Sequence, residues 1–255
     1  MEKKLTEKKM FTRQEFEQHL IRCSKEMAVD EELRRMALEV LIKADHYDWI
    51  HQTKWLGEPI LNLPQDMFAI QEIIYKTKPK FIVEAGVAWG GSLLFYSTLL
   101  EILDGEKVIG IDVYIPNDLK ERIGSYNKLS KRIEWIKGSS IEPNTFNKVK
   151  SIVGDSRDVM VILDSYHTHE HAYNELKLYE QIVGKGYYII CGDTIVEHIP
   201  KQQHRPRPWG PGNNPKTAVE AFLKENRRFK LDKTLQNKLL FTCNPGGYLY
   251  AIEDK

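Results

Sequence analysis

The sequence predicts an α/β fold: a doubly wound, mostly parallel sheet with a C-terminal antiparallel hairpin, preceded by an N-terminal helical segment. Three observations predict it. Residues 12–77 carry helical patterns, short apolar runs alternate with helical periods from residue 81 onward, and two final apolar runs flank a Pro-Gly-Gly turn. Strands that alternate with helices favour a parallel sheet covered on both faces.

The N-terminal segment shows three helix starts. Thr12 and Glu15 have the spacing of a capping box, Asp30 can cap a second helix, and Pro64 suits the first turn of a third helix that ends near Lys76. We therefore expect residues 1–77 to form a helical extension or cap, and residues 78–255 to form the ligand-binding domain.

The remaining elements follow in order. Parallel strands are predicted at Phe81–Ala85, Val108–Asp112, Ile133–Ile136, Val159–Leu163 and Tyr187–Cys191. Helices are predicted from Ser92, near Leu119–Leu129, from Pro143, over Glu170–Val183 and over Lys216–Asn226. The hairpin is predicted from Leu239–Cys243, the turn at 244–247, and Tyr248–Ile252. By analogy, five parallel units closed by a hairpin resemble the sheet layout of class I methyltransferases.

Bulk properties exclude several classes of protein. A net charge of +1 gives no reason to expect a nucleic-acid partner. No run of 18 apolar residues predicts a membrane span, and the N-terminal lysines precede no apolar signal segment. The three cysteines are odd in number and far apart, which favours reduced thiols in a cytoplasmic chain.

Acidic residues end four of the predicted strands: Glu84, Asp112, Asp164 and Asp193. Ser139 and Ser140 follow another strand. Ligands of open α/β sheets bind outside the carboxyl ends of the strands, so these side chains are expected to face one crevice. Four acids on one rim repel each other unless a cation or a hydroxyl-rich ligand lies there.

The motif Glu84-x-Gly86-x-x-x-Gly90-Gly91-Ser92 indicates which ligand that is. Its glycine spacing is wider than that of a dinucleotide site, and an acid ahead of it disfavours a diphosphate. Glu84 suits an ammonium group, Gly86 lets the backbone approach a ligand, and Ser92 can cap the helix whose N–H groups meet a carboxylate. With Asp112 on the ribose hydroxyls, these groups describe S-adenosylmethionine. A ligand-free turn and an NAD or nucleotide-sugar site stay open as alternatives.

Asp164 and Asp193 suggest Mg²⁺, which takes oxygen ligands and retains water. Such an ion can hold a substrate hydroxyl and lower its pKa, and Glu197 is a candidate third ligand. The alternative is structural: Asp164 caps a helix and Asp193 supports a turn.

Three histidines follow Asp164. His167 is the candidate general base, because imidazole exchanges protons near neutral pH. With Asp164 and His171 it could instead form an Fe(II) triad. His169 and His171 are more typical of surface or helix-packing positions.

Five prolines between residues 200 and 215 predict a semi-rigid loop after the fifth strand. It can cover the crevice as a substrate lid, in which Arg205 and Arg207 suit an anionic group and Trp209 suits a sugar ring. An ordinary surface loop is the alternative.

Several stretches together resemble the cephalosporin hydroxylase, or rhamnosyl O-methyltransferase, family. They are residues 53–57, 63–66, 84–92, 163–171, 193–197, 207–219 and 244–248. The resemblance implies a class I S-adenosylmethionine fold, a divalent metal site and a homo-oligomer. It also implies that Gln65 lies near the methionine end of the cofactor. Some members have an acid where this chain has Gly192, which puts the metal site in question.

The main hypothesis is therefore a Mg²⁺-assisted, S-adenosylmethionine-dependent O-methyltransferase that acts on a sugar or small-molecule hydroxyl. A metal-dependent hydroxylase or oxidoreductase and a non-catalytic cofactor-binding protein are the alternatives.

Overall fold

A seven-stranded sheet forms the centre of the computed structural model, which describes residues 11–201, 203 and 205–255. Two further strands, β1 (Thr53–Trp55) and β2 (Glu58–Ile60), form a separate hairpin. The strands of the central sheet are β3 (Phe81–Ala85), β4 (Lys107–Asp112), β5 (Ile133–Lys137), β6 (Val159–Leu163), β7 (Tyr188–Cys191), β8 (Phe229–Leu231) and β9 (Tyr248–Ala251). The helices are α1 (Arg13–Val29), α2 (Glu31–Ala44), α3 (Pro64–Thr77), α4 (Gly91–Ile102), α5 (Asn117–Gly124), α6 (Pro143–Val153), α7 (His169–Tyr179), α8 (Pro215–Glu225) and α9 (Lys233–Asn237).

The strand order is β5-β4-β3-β6-β7-β9-β8, and β3 to β7 run parallel. The chain leaves β3 toward β4 and β5, and later returns to the other side of β3 with β6. This reversal makes the carboxyl end of β3 the switch point at which such sheets bind ligands. The predicted α/β class and the five parallel strands are confirmed.

Two hydrophobic clusters cover the two faces of the sheet. Along β3 the side chains alternate: Val83 packs with α6, α7 and α8, whereas Ile82 packs on the other face with α3, α4 and α5. Glu84 lies two residues after Ile82, so its side chain points to the same face of the sheet, toward α4. An apolar strand thus delivers one acid to the α4 side of the switch point.

The N-terminal segment begins its helices where the sequence predicts. Thr12 and Glu15 form a complete capping box, Asp30 caps α2, and Pro64 occupies the first turn of α3. The small hairpin β1–β2 was not predicted. A Cβ on Gly91 would lie 2.2 Å from the Pro59 carbonyl oxygen, so this hairpin packs directly on the start of α4. The expected boundary at residue 77 stays a prediction, although α3 packs into the same cluster as the sheet.

The C-terminal hairpin was predicted with the wrong partner strand. β9 is antiparallel as expected, but it lies between β7 and β8. Leu239–Cys243 forms no strand, because its backbone and side-chain groups bind α3 and the segment after β7 instead. Among the described residues, no helix combines the length and apolar character that crossing a membrane requires.

Candidate active site

A cavity of about 540 Å³ opens at the carboxyl ends of the parallel strands. As predicted, all four strand-end acids line it: Glu84, Asp112, Asp164 and Asp193. Ser139, Ser140 and His167 line it as well. The sheet topology therefore brings together residues that are more than 100 positions apart in the chain.

Glu84 is a buried acid at the floor of the cavity. Its Oε2 accepts a hydrogen bond of 2.8 Å from the Ser92 hydroxyl. Burial, with a smaller contribution from the negative charge of Asp164, raises the pKa of Glu84 to about 8. A bound ammonium group would offset both effects, because it favours the ionised carboxylate.

Ser92 was predicted to cap α4, and that prediction is wrong. The N-cap residue is Gly90, with a φ of 80°, and no side chain caps the helix. The Ser92 hydroxyl turns inward to Glu84 instead. The first N–H groups of α4 consequently keep their capacity to bind a carboxylate.

Gly86 is required for a close approach of two strands. A Cβ at Gly86 would lie 2.1 Å from the carbonyl oxygen of Asp164, and its φ is 96°. The residue lines the cavity, but the backbone that approaches it is that of β6. Gly90 is not among the described residues that line the cavity.

Asp112 is oriented by the backbone. Its Oδ2 accepts from the Val87 N–H and its Oδ1 accepts from the Tyr114 N–H, each at 2.9 Å. Each carboxylate oxygen retains further acceptor capacity for a ligand hydroxyl. Its predicted position at the ribose end of a cofactor stays a prediction.

Three side chains form a candidate metal cluster. Ligand atoms of Asp164, His167 and Asp193 all lie within 4.8 Å of one another, and His167 Nε2 is 3.4 Å from Asp193 Oδ2. Removal of the Asp164 carboxyl from water raises its pKa to about 7, and the charge of Asp193 contributes to the rise. A divalent cation would reverse both effects, so the donor set fits such an ion.

Gly192 determines how Asp164 is placed. A Cβ at Gly192 would lie 2.3 Å from Asp164 Oδ1. The carboxylate of Asp164 thus occupies the space that a side chain at position 192 would enter. An acid at that position would require the Asp164 side chain to move.

Two predicted ligand residues point elsewhere. The carboxylate of Glu197 accepts from the Gly212 N–H at 2.8 Å and from Asn214 Nδ2 at 2.5 Å, and these bonds lower its pKa. Glu197 therefore braces the proline-rich loop and is not part of the cluster. Gln65 Oε1 accepts from the Phe241 N–H at 2.8 Å, and Gln65 is not among the described cavity-lining residues.

His171 belongs to a second polar group beside the cavity. Its Nε2 lies 3.1 Å from the hydroxyls of Ser140 and Ser165, both of which donate to the buried Glu175. These contacts keep His171 out of the metal cluster, so the structure does not form the Fe(II) triad. His169 packs as expected for a helix residue, with its Nδ1 2.8 Å from the Thr217 hydroxyl.

The proline-rich loop reaches the cavity through aromatic contacts. The Trp209 ring meets Tyr166 and His167 edge to face, with centroids 5.3 Å and 4.9 Å apart. The Arg207 guanidinium lies 5.5 Å from the Trp209 centroid, and Arg205 pairs with the buried Asp45 at 2.5 Å. The predicted lid residues thus line the cavity, and one is anchored to the N-terminal segment.

The N-terminal segment, which was expected to form a helical extension or cap, supplies part of the cavity wall through residues that the sequence analysis did not single out. Leu41, Ile42, Ile50 and His51 line the cavity opposite the strand ends. The only sequence signal was the apolar stripe of the second helix, which predicts packing and not a ligand. The cavity lining therefore combines the acids at the strand ends with apolar side chains of the N-terminal segment.

A sequence profile described as Rhamnosyl O-methyltransferase/CmcI matches residues 47–252. The chain belongs to this family. Curated relatives include the rhamnosyl O-methyltransferases of Mycobacterium tuberculosis, 23% identical over 82% of this chain and 84% of theirs, and of Mycobacterium leprae, 26% identical over 82% and 90%. The family resemblance predicted from the sequence is confirmed.

Solved structures show the same fold. An apo structure of CmcI is 21% identical, with a TM-score of 0.57 over 80% of this chain and 78% of that one. A CmcI structure described with Mg and SAM has 21% identity and a TM-score of 0.54 over 79% and 77%. A Staphylococcus aureus structure described as a putative caffeoyl-CoA O-methyltransferase has 15% identity and a TM-score of 0.51 over 85% and 92%.

Proposed function

We propose that the protein is an S-adenosylmethionine-dependent, Mg²⁺-assisted O-methyltransferase that acts on a hydroxyl of a sugar or small-molecule metabolite. One observation carries the proposal: in a chain of this family, Glu84, Asp112 and the cluster of Asp164, His167 and Asp193 face one cavity. The relatives named for rhamnosyl O-methylation favour a sugar acceptor. A cytoplasmic location and a homo-oligomer belong to the same proposal.

The two expected ligands contribute different parts of the reaction. When bound, S-adenosylmethionine supplies an electrophilic methyl group, and Mg²⁺ supplies a positive charge that favours the deprotonated acceptor hydroxyl. Glu84 would bind the ammonium, Asp112 the ribose, and Asp164 with Asp193 the cation. The size of the cavity and the raised pKa values of Glu84 and Asp164 both fit this assignment.

The residues of the chain prepare the acceptor. His167 would take up the proton of the acceptor hydroxyl; S-adenosylmethionine, when bound, would supply the methyl group to that oxygen and leave as S-adenosylhomocysteine. Asp193, 3.4 Å from His167 Nε2, stabilises the protonated imidazole. The Trp209 ring packs edge to face with the imidazole of His167 and so helps to hold its orientation. Proximity and orientation then supply much of the rate, because the methyl group is already activated.

Calorimetry and a methyl-transfer assay test the proposal. The purified protein is titrated with S-adenosylmethionine in EDTA and then in Mg²⁺, and transfer is assayed against a panel of glycosides. Asp164→Asn should abolish turnover and leave cofactor affinity largely intact. Asp118→Asn, an exposed acid on α5, is the matched control and should behave as wild type. Absence of cofactor binding by the wild type would contradict the proposal.

The imidazole in the metal cluster favours one second candidate, a metal-dependent hydroxylase or oxidoreductase. Nitrogen ligands suit redox-active transition metals better than Mg²⁺. Metal analysis of the protein as purified distinguishes the two activities. Bound iron together with oxygen-dependent turnover would support the hydroxylase, whereas turnover that requires S-adenosylmethionine and proceeds without oxygen would exclude it.

A further inference from the structure

Asp66 is a fully buried acid that the proposed chemistry does not use. It lies in the first turn of α3, and its carboxylate accepts three hydrogen bonds. The donors are the Thr242 hydroxyl at 2.5 Å, the Cys243 N–H at 2.8 Å and the Tyr248 hydroxyl at 2.7 Å. A carboxylate withdrawn this completely from water requires such donors, so α3 is bound firmly to residues 242–248.

Asn244 connects this buried group to the active site. Its N–H donates to the Thr242 hydroxyl at 2.9 Å, and its Nδ2 lies 3.4 Å from the Tyr248 hydroxyl. On the other side, its Oδ1 accepts from the backbone N–H of Asp193 at 3.1 Å. Asn244 is itself buried, so it has few other partners available. An unbroken series of hydrogen bonds therefore runs from Asp66 to Asp193.

Asp193 needs support at this point of the chain. Its φ of 51° lies in the left-handed region, which is costly for a residue with a Cβ. The next two residues are held by the same segment: the Thr194 hydroxyl donates to the Pro245 carbonyl oxygen, and the Ile195 N–H donates to that of Cys243, each at 3.0 Å. The turn that carries Asp193 is thus fixed from residues 243–245.

We infer that Asp66, Tyr248 and Asn244 are positioning residues, which hold the Asp193 turn so that its carboxylate meets Asp164 and His167. The inference rests on the proposed function, because it assigns a purpose to the orientation of a proposed metal ligand. The same inference gives residues 63–66 a structural role, because Gln65 and Asp66 accept hydrogen bonds from residues 241–248.

The experiment compares Mn²⁺ binding in four proteins. Mn²⁺ is titrated alone and followed by electron paramagnetic resonance in the full-length wild type, Asn244→Ala, Tyr248→Phe and Tyr188→Phe. The last variant is the matched control: Tyr188 is also a buried tyrosine, and its hydroxyl donates to Asp232 at 2.8 Å, away from the cavity. Binding of S-adenosylhomocysteine and thermal stability are measured in parallel.

A positioning role predicts a selective effect on the metal. Asn244→Ala and Tyr248→Phe should weaken Mn²⁺ binding about 10-fold or more, as the loss of residues that orient metal ligands does. Their affinity for S-adenosylhomocysteine should stay within about twofold of wild type, and Tyr188→Phe should lose stability without losing Mn²⁺ affinity. The control separates a general loss of stability from a displaced Asp193.

Two results would overturn the inference, and only the second would also contradict part of the proposed function. If the wild type binds Mn²⁺ and both site variants bind it equally well, the network is structural only, and the proposed function is untouched. If the wild type binds S-adenosylhomocysteine but no Mn²⁺, both the inference and the metal part of the proposed function fail.

Discussion

At the scale of single residues, the buried acids determine how the protein responds to pH. Glu84 has a pKa raised from 4.5 to about 8, mainly by burial. The folded protein therefore binds a proton there that the unfolded chain releases above pH 5. The contribution of Glu84 to stability is greatest at low pH and is lost as pH rises toward 8.

Glu84→Gln should remove this dependence. Near pH 5 the variant and the ligand-free wild type should have similar free energies of unfolding, because Glu84 is neutral in both. By pH 8 the variant should be more stable, by an amount on the order of a few kcal/mol. Urea denaturation at pH 5, 6.5 and 8 measures the difference. A difference between Glu84→Gln and the wild type that does not change with pH would contradict the assignment.

At the scale of elements, two close approaches shape the site: β6 lies against the turn after β3, and the proline-rich loop lies against the start of α7. The first requires Gly86 and the second depends on Trp209. These two contacts affect different properties. The first supports the fold at the strand ends, and the second forms the part of the cavity wall that we propose for the acceptor.

Gly86→Ala should destabilise the protein severely. The backbone at position 86 has a positive φ, and the new Cβ would lie 2.1 Å from the carbonyl oxygen of Asp164. We therefore expect the free energy of unfolding to fall by at least about 3 kcal/mol. Gly57→Ala is the matched control, because its φ is 92° and no atom lies within 4 Å of the new Cβ. It should lose only about 1 kcal/mol. Denaturant unfolding measures both, and equal losses would show that the β3–β6 contact is not the cause.

Trp209→Ala should affect the acceptor and leave the cofactor alone. The variant loses the ring that packs on Tyr166 and on the proposed base His167, so kcat/KM for the acceptor should fall about 10-fold or more. Trp209→Phe keeps a ring in place and should recover part of the loss. Steady-state kinetics and calorimetry with S-adenosylhomocysteine provide the two readouts. A comparable loss of cofactor affinity would show that the loop serves the cofactor half instead.

At the scale of the whole molecule, the cavity joins the sheet to the N-terminal segment, so ligand binding should stabilise both. S-adenosylhomocysteine at 100 times its Kd should add about 2.7 kcal/mol to the free energy of unfolding. For a chain of this size, Tm should rise by about 5–10 °C. NAD⁺ at the same concentration should cause no shift, because Glu84 disfavours a diphosphate. A shift with NAD⁺ alone, followed by differential scanning calorimetry, would favour the dinucleotide alternative.

Local patterns in the sequence predicted the parallel strands and the acids that end them, because each is contained in five or six consecutive residues. Non-local contacts were not predictable in this way. Ser92, Gln65 and Glu197 have side chains whose direction depends on distant partners, namely Glu84, Phe241 and the 212–214 turn. The partner strand of β9 was missed for the same reason, since β7 and β8 are separated from it by intervening segments.

The series of hydrogen bonds from Asp66 to Asp193 also bears on the order in which the site can form as the chain folds. The bond between the Tyr248 hydroxyl and Asp66 joins residues 182 positions apart, and β9 must enter between β7 and β8. A nascent chain that has emerged only as far as residue 240 already carries every strand-end acid, yet it lacks Asn244 and Tyr248. Such a chain is expected to hold a metal ion poorly, so the metal site should form only after residues 244–248 have emerged.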